Sequence, residues 1–151
     1  MKFAGAHVVL HRLVTTGSHQ ILAVLLHKRT QDAPTYPGYW GLFGGGVDDE
    51  DYGNPLAAVK REISEELEGG DEALESLELL CTVPIARKEG AFLLQYYSAP
   101  LNQDMDKLSL KRTNHKVEGE GIGWFTAEEV HHLWLRPEDR IALNKFFESA
   151  V

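Results

Sequence analysis

Glu62, Glu65 and Glu66 lie within one short run beside Arg61, and a glycine triplet, Gly44-Gly45-Gly46, precedes them. On a helix, at ~100° per residue, the three carboxylates fall within roughly 100° of one another. Such neighbours repel. At ~6 Å and an effective dielectric of ~20, each like-charge pair costs roughly 3 kcal/mol, and about 0.7 in open water. An Arg61 to Glu65 pair at i, i+4 returns only ~0.2–0.5 kcal/mol. A hard divalent cation turns this repulsion into ligation, because Mg²⁺ takes oxygen ligands and bridges to phosphate. A solvated acidic helix face would explain the glutamates equally well. The glycines favour the ligand site, since an open loop without Cβ atoms lets backbone approach a ligand closely.

The elements that must position these groups are legible. Asn54 is placed to cap a helix and Pro55 to occupy its first turn. Leu56, Val59, Ile63 and Leu67 recur at helical spacing as an apolar stripe, and Gly69-Gly70 supply a stop. Ala58 shares the glutamate side and leaves room in front of it. The spacing predicts strands over Ala4 to Val14, Ile21 to Leu26, Leu77 to Ile85 and Ala91 to Tyr97. The last two flank a turn at Arg87-Lys88-Glu89-Gly90. Thr126 and Glu129 form a capping box, and a final helix opens at Arg136-Pro137-Glu138-Asp139. Pro100 to Lys116 reads as an irregular, mobile loop carrying a local basic cluster.

Arg61-Glu62-Ile63-Ser64-Glu65-Glu66 matches the R-E-U-x-E-E core of the signature G-x5-E-x7-R-E-U-x-E-E-x-G-U, and Tyr39 to Gly45 looks like the strand-and-glycine approach to it. In this the chain resembles the Nudix hydrolase (MutT-like) family. The resemblance implies an α+β fold, a Nudix-type α/β/α sandwich with a mixed β-sheet, as a single domain over residues 1–151. It implies hydrolysis of a diphosphate linkage in a nucleoside diphosphate derivative, with Mg²⁺ (or Mn²⁺) as cofactor. Glu62, Glu65 and Glu66 take the usual metal-ligand positions, with the Gly46 carbonyl as a further ligand. Glu65, Glu118 and Glu120 are the candidate general bases and Arg61 orients the glutamates. Arg29, Tyr39, Gly44 and Gly45 are candidates for substrate contact. Two departures stand out. Counting forward from Gly45 puts the first acidic slot at Asp51, with two extra residues before Arg61, so Glu50 or Asp51 stands in for the usual Glu. The closing glycine is late, with Glu68 in its slot and Gly69 after it. The altered loop at Asp49 to Gly53 supports an alternative, a Nudix-fold sensor that binds a nucleotide or sugar nucleotide without cleaving it.

A formal charge of −8 argues against a long nucleic acid as partner. It leaves room for a small nucleotide whose charge a cation neutralises. No apolar run approaches the ~20 residues of a membrane span. Cys81 alone cannot form an internal disulfide, sits in an apolar run as an inert thiol, and fits a reducing cytoplasm. The histidines lack metal-ligand spacing, which argues against zinc. A homodimer is the candidate assembly.

Overall fold

The computed structural model describes residues 2–113, 116–117 and 119–150. The elements in chain order are β1 (Lys2–Thr16), β2 (His19–Arg29), β3 (Trp40–Gly41), β4 (Phe43–Gly46), α1 (Pro55–Glu66), β5 (Leu67–Glu68), β6 (Glu78–Arg87), β7 (Gly90–Pro100), β8 (Ser109–Leu110), β9 (Arg112–Thr113), β10 (Lys116–Val117), β11 (Gly119–Thr126), α2 (Ala127–His131) and α3 (Pro137–Ser149). The main sheet runs β11-β2-β1-β7-β6, with β3 on β2 and β4 on β1. β1 and β7 are parallel and the other pairs antiparallel, so the sheet is mixed.

Strand periodicity sorts the core into two layers. Ala6, Val8 and Leu10 of β1 and Leu25 of β2 face α1, where they meet Val59 and Ile63, together with Leu67 just past the helix end. Val9, Val24 and Leu26 face the other way, against Ala142, Leu143 and Phe146 of α3. Helices therefore cover both faces, and the structure is the α/β/α sandwich expected. Both central strands are buried on both sides in their middle stretches, as the near-continuous apolar run Ile21 to Leu26 of β2 reflects.

The feature that builds the site is a fork in the sheet. β1 and β2 pair from Thr16–His19 to Leu10–Leu25 and then part. Beyond the fork β1 takes β4 as partner, from Val8–Phe43 to Gly5–Gly46, while β2 takes β3 at His27–Gly41 and Lys28–Trp40. The glycine triplet is thus the backbone of a strand wedged into the fork, not an open loop. Trp40, partly buried, packs edge-on against Phe125 and onto the core.

α1 departs from expectation at its stripe and its end. Asn54 Oδ1 accepts from the backbone N–H groups of Leu56 and Ala57, and Pro55 occupies the first turn. Ala58 is fully buried and belongs to the core stripe, while Leu56 is partly exposed. The helix stops at Glu66, before the glycines, because Leu67 turns extended to pair with Leu110. Gly69 then makes a left-handed turn at φ +87°. Part of the segment expected to be mobile is pinned here. Leu108 is buried, the Lys111 N–H donates to the Glu66 carbonyl at 2.8 Å, and Lys111 Nζ donates to the Ser64 carbonyl at 2.7 Å. A cation on the last carbonyls is the favourable complement to the helix dipole.

Candidate active site

Arg61 is the hub of the acidic region. Its Nε and Nη2 donate to both oxygens of Asp51 at 3.1 and 2.9 Å, and Nη1 donates to Glu62 Oε1 at 3.1 Å and Glu65 Oε2 at 3.3 Å. Nη2 also donates to the Gly46 carbonyl at 3.1 Å, and Asp48 and Glu50 lie at 3.4 and 3.0 Å. Asp51 is the acidic residue that fills the first slot of the signature. Its side chain is only 3% exposed, whereas that of Glu50 is 61% exposed. The fork-to-fork hydrogen bonds from Arg61 hold the Asp51 carboxyl down at about 2, and Asp51 correspondingly raises the guanidinium. The two extra residues are absorbed as Tyr52 and Gly53, both left-handed (φ +52° and +72°), with Tyr52 bulged into solvent. The lengthened loop thus carries an Arg–carboxylate anchor at Asp51 and a solvent-exposed Tyr52.

Glu62 is aimed at the glycine strand. A Cβ on Gly45 would stand 2.5 Å from Glu62 Oε1, so only glycine lets this carboxylate reach the backbone there. Gly44, at φ +143°, passes under His7 where no side chain fits. Glu65 is half-exposed. Burial raises its pKa above the ordinary value, Arg61 opposes the rise, and Glu62 and Glu50 add to it. A cavity of about 510 Å³ opens beside this strand, lined by Glu66, Gly44, Gly45, His7, His27 and Arg29 among others. The donor set suits a hard divalent cation: carboxylate oxygens on one helix face, with strand backbone opposite. Among the described residues no cluster of three acidic, histidine or cysteine side chains already converges as a cage. Mg²⁺ seldom needs one, since it keeps waters and borrows phosphate oxygens.

The other expected residues are placed unevenly. Arg29 lines the cavity and its Nε donates to the Thr35 carbonyl at 3.0 Å, which ties down the 30–39 loop. Tyr39 stands between Tyr36 (ring centroids 5.1 Å apart) and Trp134 (5.6 Å), where it props neighbouring rings. The Gly46 carbonyl accepts from Arg61, so a cation there would have to share it. Glu120 is on the backbone of β11, at the bulge between Gly119, opposite Arg29, and Gly121, opposite Lys28. Glu118 lies outside the described residues.

A second polar cluster went unread in the sequence. Asp139 is fully buried and accepts from the Tyr96 hydroxyl at 2.8 Å, and from the Leu42 N–H and Arg136 Nη2, each at 3.4 Å. Burial and the adjacent carboxylate push the Tyr96 hydroxyl far above its usual pKa, which fixes it as a donor. Burial pulls His7 and His27 down to about 4, so both are neutral near pH 7. His27 Nε2 lies 3.1 Å from the Leu42 carbonyl, so that nitrogen carries the proton. A signal existed: Asp139 shares the stripe of Ala142, Leu143 and Phe146, so it is a charge on the apolar face of α3.

A model of the NUDIX domain matches residues 6–146 of this chain. The chain belongs to the Nudix family. It is similar to the MutT NUDIX hydrolase of Burkholderia pseudomallei, at 30% identity and a TM-score of 0.62, over 96% of this chain and 98% of that one. It is 29% identical over 130 residues to the nucleoside triphosphatase NudI of Enterobacter sp. (strain 638), over 82% of this chain and 86% of that protein. The NUDIX domain of Shewanella oneidensis NrtR, solved with ADP ribose, shares the fold at a TM-score of 0.72 and 21% identity, over 100% and 90% of the two chains. As a Nudix hydrolase the chain acts on phosphoric anhydride bonds. No helix among the described residues is long and apolar enough to cross a membrane.

Proposed function

We propose that this Nudix hydrolase cleaves the diphosphate linkage of a small nucleoside diphosphate derivative with Mg²⁺ or Mn²⁺ bound at Glu62, Glu65 and Glu66. One observation carries the reading: Gly45 has no Cβ where the Glu62 carboxylate stands, on the wall of a cavity that Glu66 also lines. Strand backbone and carboxylates there can close on a cation and a diphosphate together. A divalent cation bound there supplies charge neutralisation and Lewis-acid polarisation of the phosphoryl oxygens.

The chain's own groups do the rest. Arg61 holds Glu62 and Glu65 at fixed distance from the strand, and Asp51 holds Arg61. A carboxylate accepts a proton from water as its oxygen bonds to phosphorus. The bridging P–O bond then breaks, the bridging oxygen leaves on the second phosphate, and two phosphate esters result (a nucleotide and diphosphate if the substrate is a triphosphate). Glu65, held by Arg61 Nη1 at 3.3 Å, is one candidate for that acceptor. Glu118 and Glu120 are the other candidates. Arg29, on the cavity wall, contacts substrate phosphate, and Gly44 and Gly45 let it approach the strand.

The relatives support the substrate class. NudI is a nucleoside triphosphatase, and the NrtR domain was solved with ADP ribose. The test is a screen of nucleoside triphosphates and nucleoside diphosphate derivatives, with Mg²⁺ and with chelator, on wild type and on Glu65→Gln, Glu118→Gln and Glu120→Gln. Cation-dependent release of a nucleoside monophosphate is expected, with the proton acceptor losing several orders in kcat. Turnover undiminished by chelator would overturn the assignment.

A further inference from the structure

A second cavity, of about 390 Å³, shares His7, Gly45 and Arg136 as wall residues with the first. Gly45 is the residue against the Glu62 carboxylate, so on the function proposed above the reacting diphosphate lies at the junction of two limbs. The second limb is bounded by Thr35, Tyr36, Arg87 and Glu138. A terminal phosphate does not need it. At ~30 Å³ per water the limb has the volume of about a dozen waters.

We propose that this limb is the subsite for the second substituent of the diphosphate, and that the substituent is a hydroxyl-rich ring such as a sugar. The lining fits that chemistry. Glu138 accepts from hydroxyls and repels a bare phosphate, Arg87 and Thr35 donate to ring and hydroxyl oxygens, and the Tyr36 ring offers an apolar face to C–H groups. Tyr36 is held in place. Its backbone is left-handed at φ +48°, which a bulky residue rarely adopts, and its ring is backed by Tyr39 and, behind that, Trp134. The 30–39 loop lies between the limbs: Thr30, Asp32, Ala33 and Pro34 line the first, Thr35 and Tyr36 the second.

ADP-ribose and ATP share one nucleoside and differ in the group carried beyond the diphosphate, so they isolate this limb. With Mg²⁺, the ratio of kcat/KM for ADP-ribose to that for ATP is expected to fall tenfold or more in Tyr36→Ala and in Glu138→Gln, through KM and not kcat. An unchanged ratio in both variants, or wild type turning over ATP while ignoring ADP-ribose, would overturn the proposal. Absence of cation-dependent turnover of both compounds would instead move the hydrolase reading to the wider substrate screen described above. In that case calorimetric binding of ADP-ribose decides the subsite: weakening of tenfold or more in the two variants supports it, and equal affinity or no binding refutes it.

Discussion

Two polar clusters flank the glycine strand, and they settle their charge in opposite ways. Around Arg61 one guanidinium serves five carboxylates, those of Asp48, Glu50, Asp51, Glu62 and Glu65. Around Asp139 one carboxylate receives three donors, from Tyr96, Leu42 and Arg136, with neutral histidines near it. The first cluster carries excess negative charge and is partly open to solvent. The second centres on a fully buried carboxylate, and its outer members Arg136, His7 and His27 reach the cavity wall. Unspent charge at an accessible place marks where a ligand is meant to complete the structure, and charge fully matched in the interior marks a frame.

This contrast breaks if the wrong cluster proves to govern activity. Glu66→Gln should reduce turnover at least 1000-fold, more than about 4 kcal/mol of transition-state stabilisation, with the melting temperature unchanged or raised. Steady-state kinetics and thermal melts on the same preparation check both halves. Asp139→Ala should do the reverse: removing the acceptor of a buried network costs about 3–5 kcal/mol of stability, read by denaturant unfolding. If that variant keeps its stability, the interior cluster is not the frame.

The pH profile sharpens the same distinction. His7 and His27 have folded pKa values near 4 against an ordinary 6.5. The unfolded chain therefore binds more protons between these limits, and stability falls as pH drops from about 6.5 to 4, by at most roughly 3 kcal/mol per histidine. Asp51 contributes in a lower window, from its ordinary value near 3.8 down to about 2. Unfolding midpoints from pH 7 to 4 should decline less steeply in His27→Gln than in wild type, and parallel curves would remove His27 from this account. Gly45→Ala has the smallest predicted effect. Its methyl must displace the Glu62 carboxylate, and about 10–100-fold loss of cation affinity is expected with modest change in stability.

How much of this was legible depended on how local the physics was. The capped start of α1 and the strands over Ala4 to Val14 and Ile21 to Leu26 arise from neighbours in sequence, and they stand where expected. The end of α1 did not, because Leu67 is claimed by Leu110, a partner more than forty residues away. The glycine triplet read as a loop because its strand partners lie on β1, at Gly5, Ala6 and His7. The choice between Glu50 and Asp51 needed the three-dimensional position of Arg61, and the Asp139 cluster draws on β7, the segment before β4, and α3. Tyr39 was legible as an aromatic near the site, but not as the support of Tyr36.

The central claim is that the α1 glutamates and the glycine strand form one cation-binding centre. Titrating Mn²⁺ into wild type and into Glu62→Gln/Glu66→Gln, monitored by electron paramagnetic resonance of the free ion, tests it without reference to any substrate. Saturable binding is expected in wild type and is expected to be lost or weakened at least 100-fold in the double variant, both proteins remaining folded. Equal uptake of Mn²⁺ by the two would place the cation elsewhere and contradict the account.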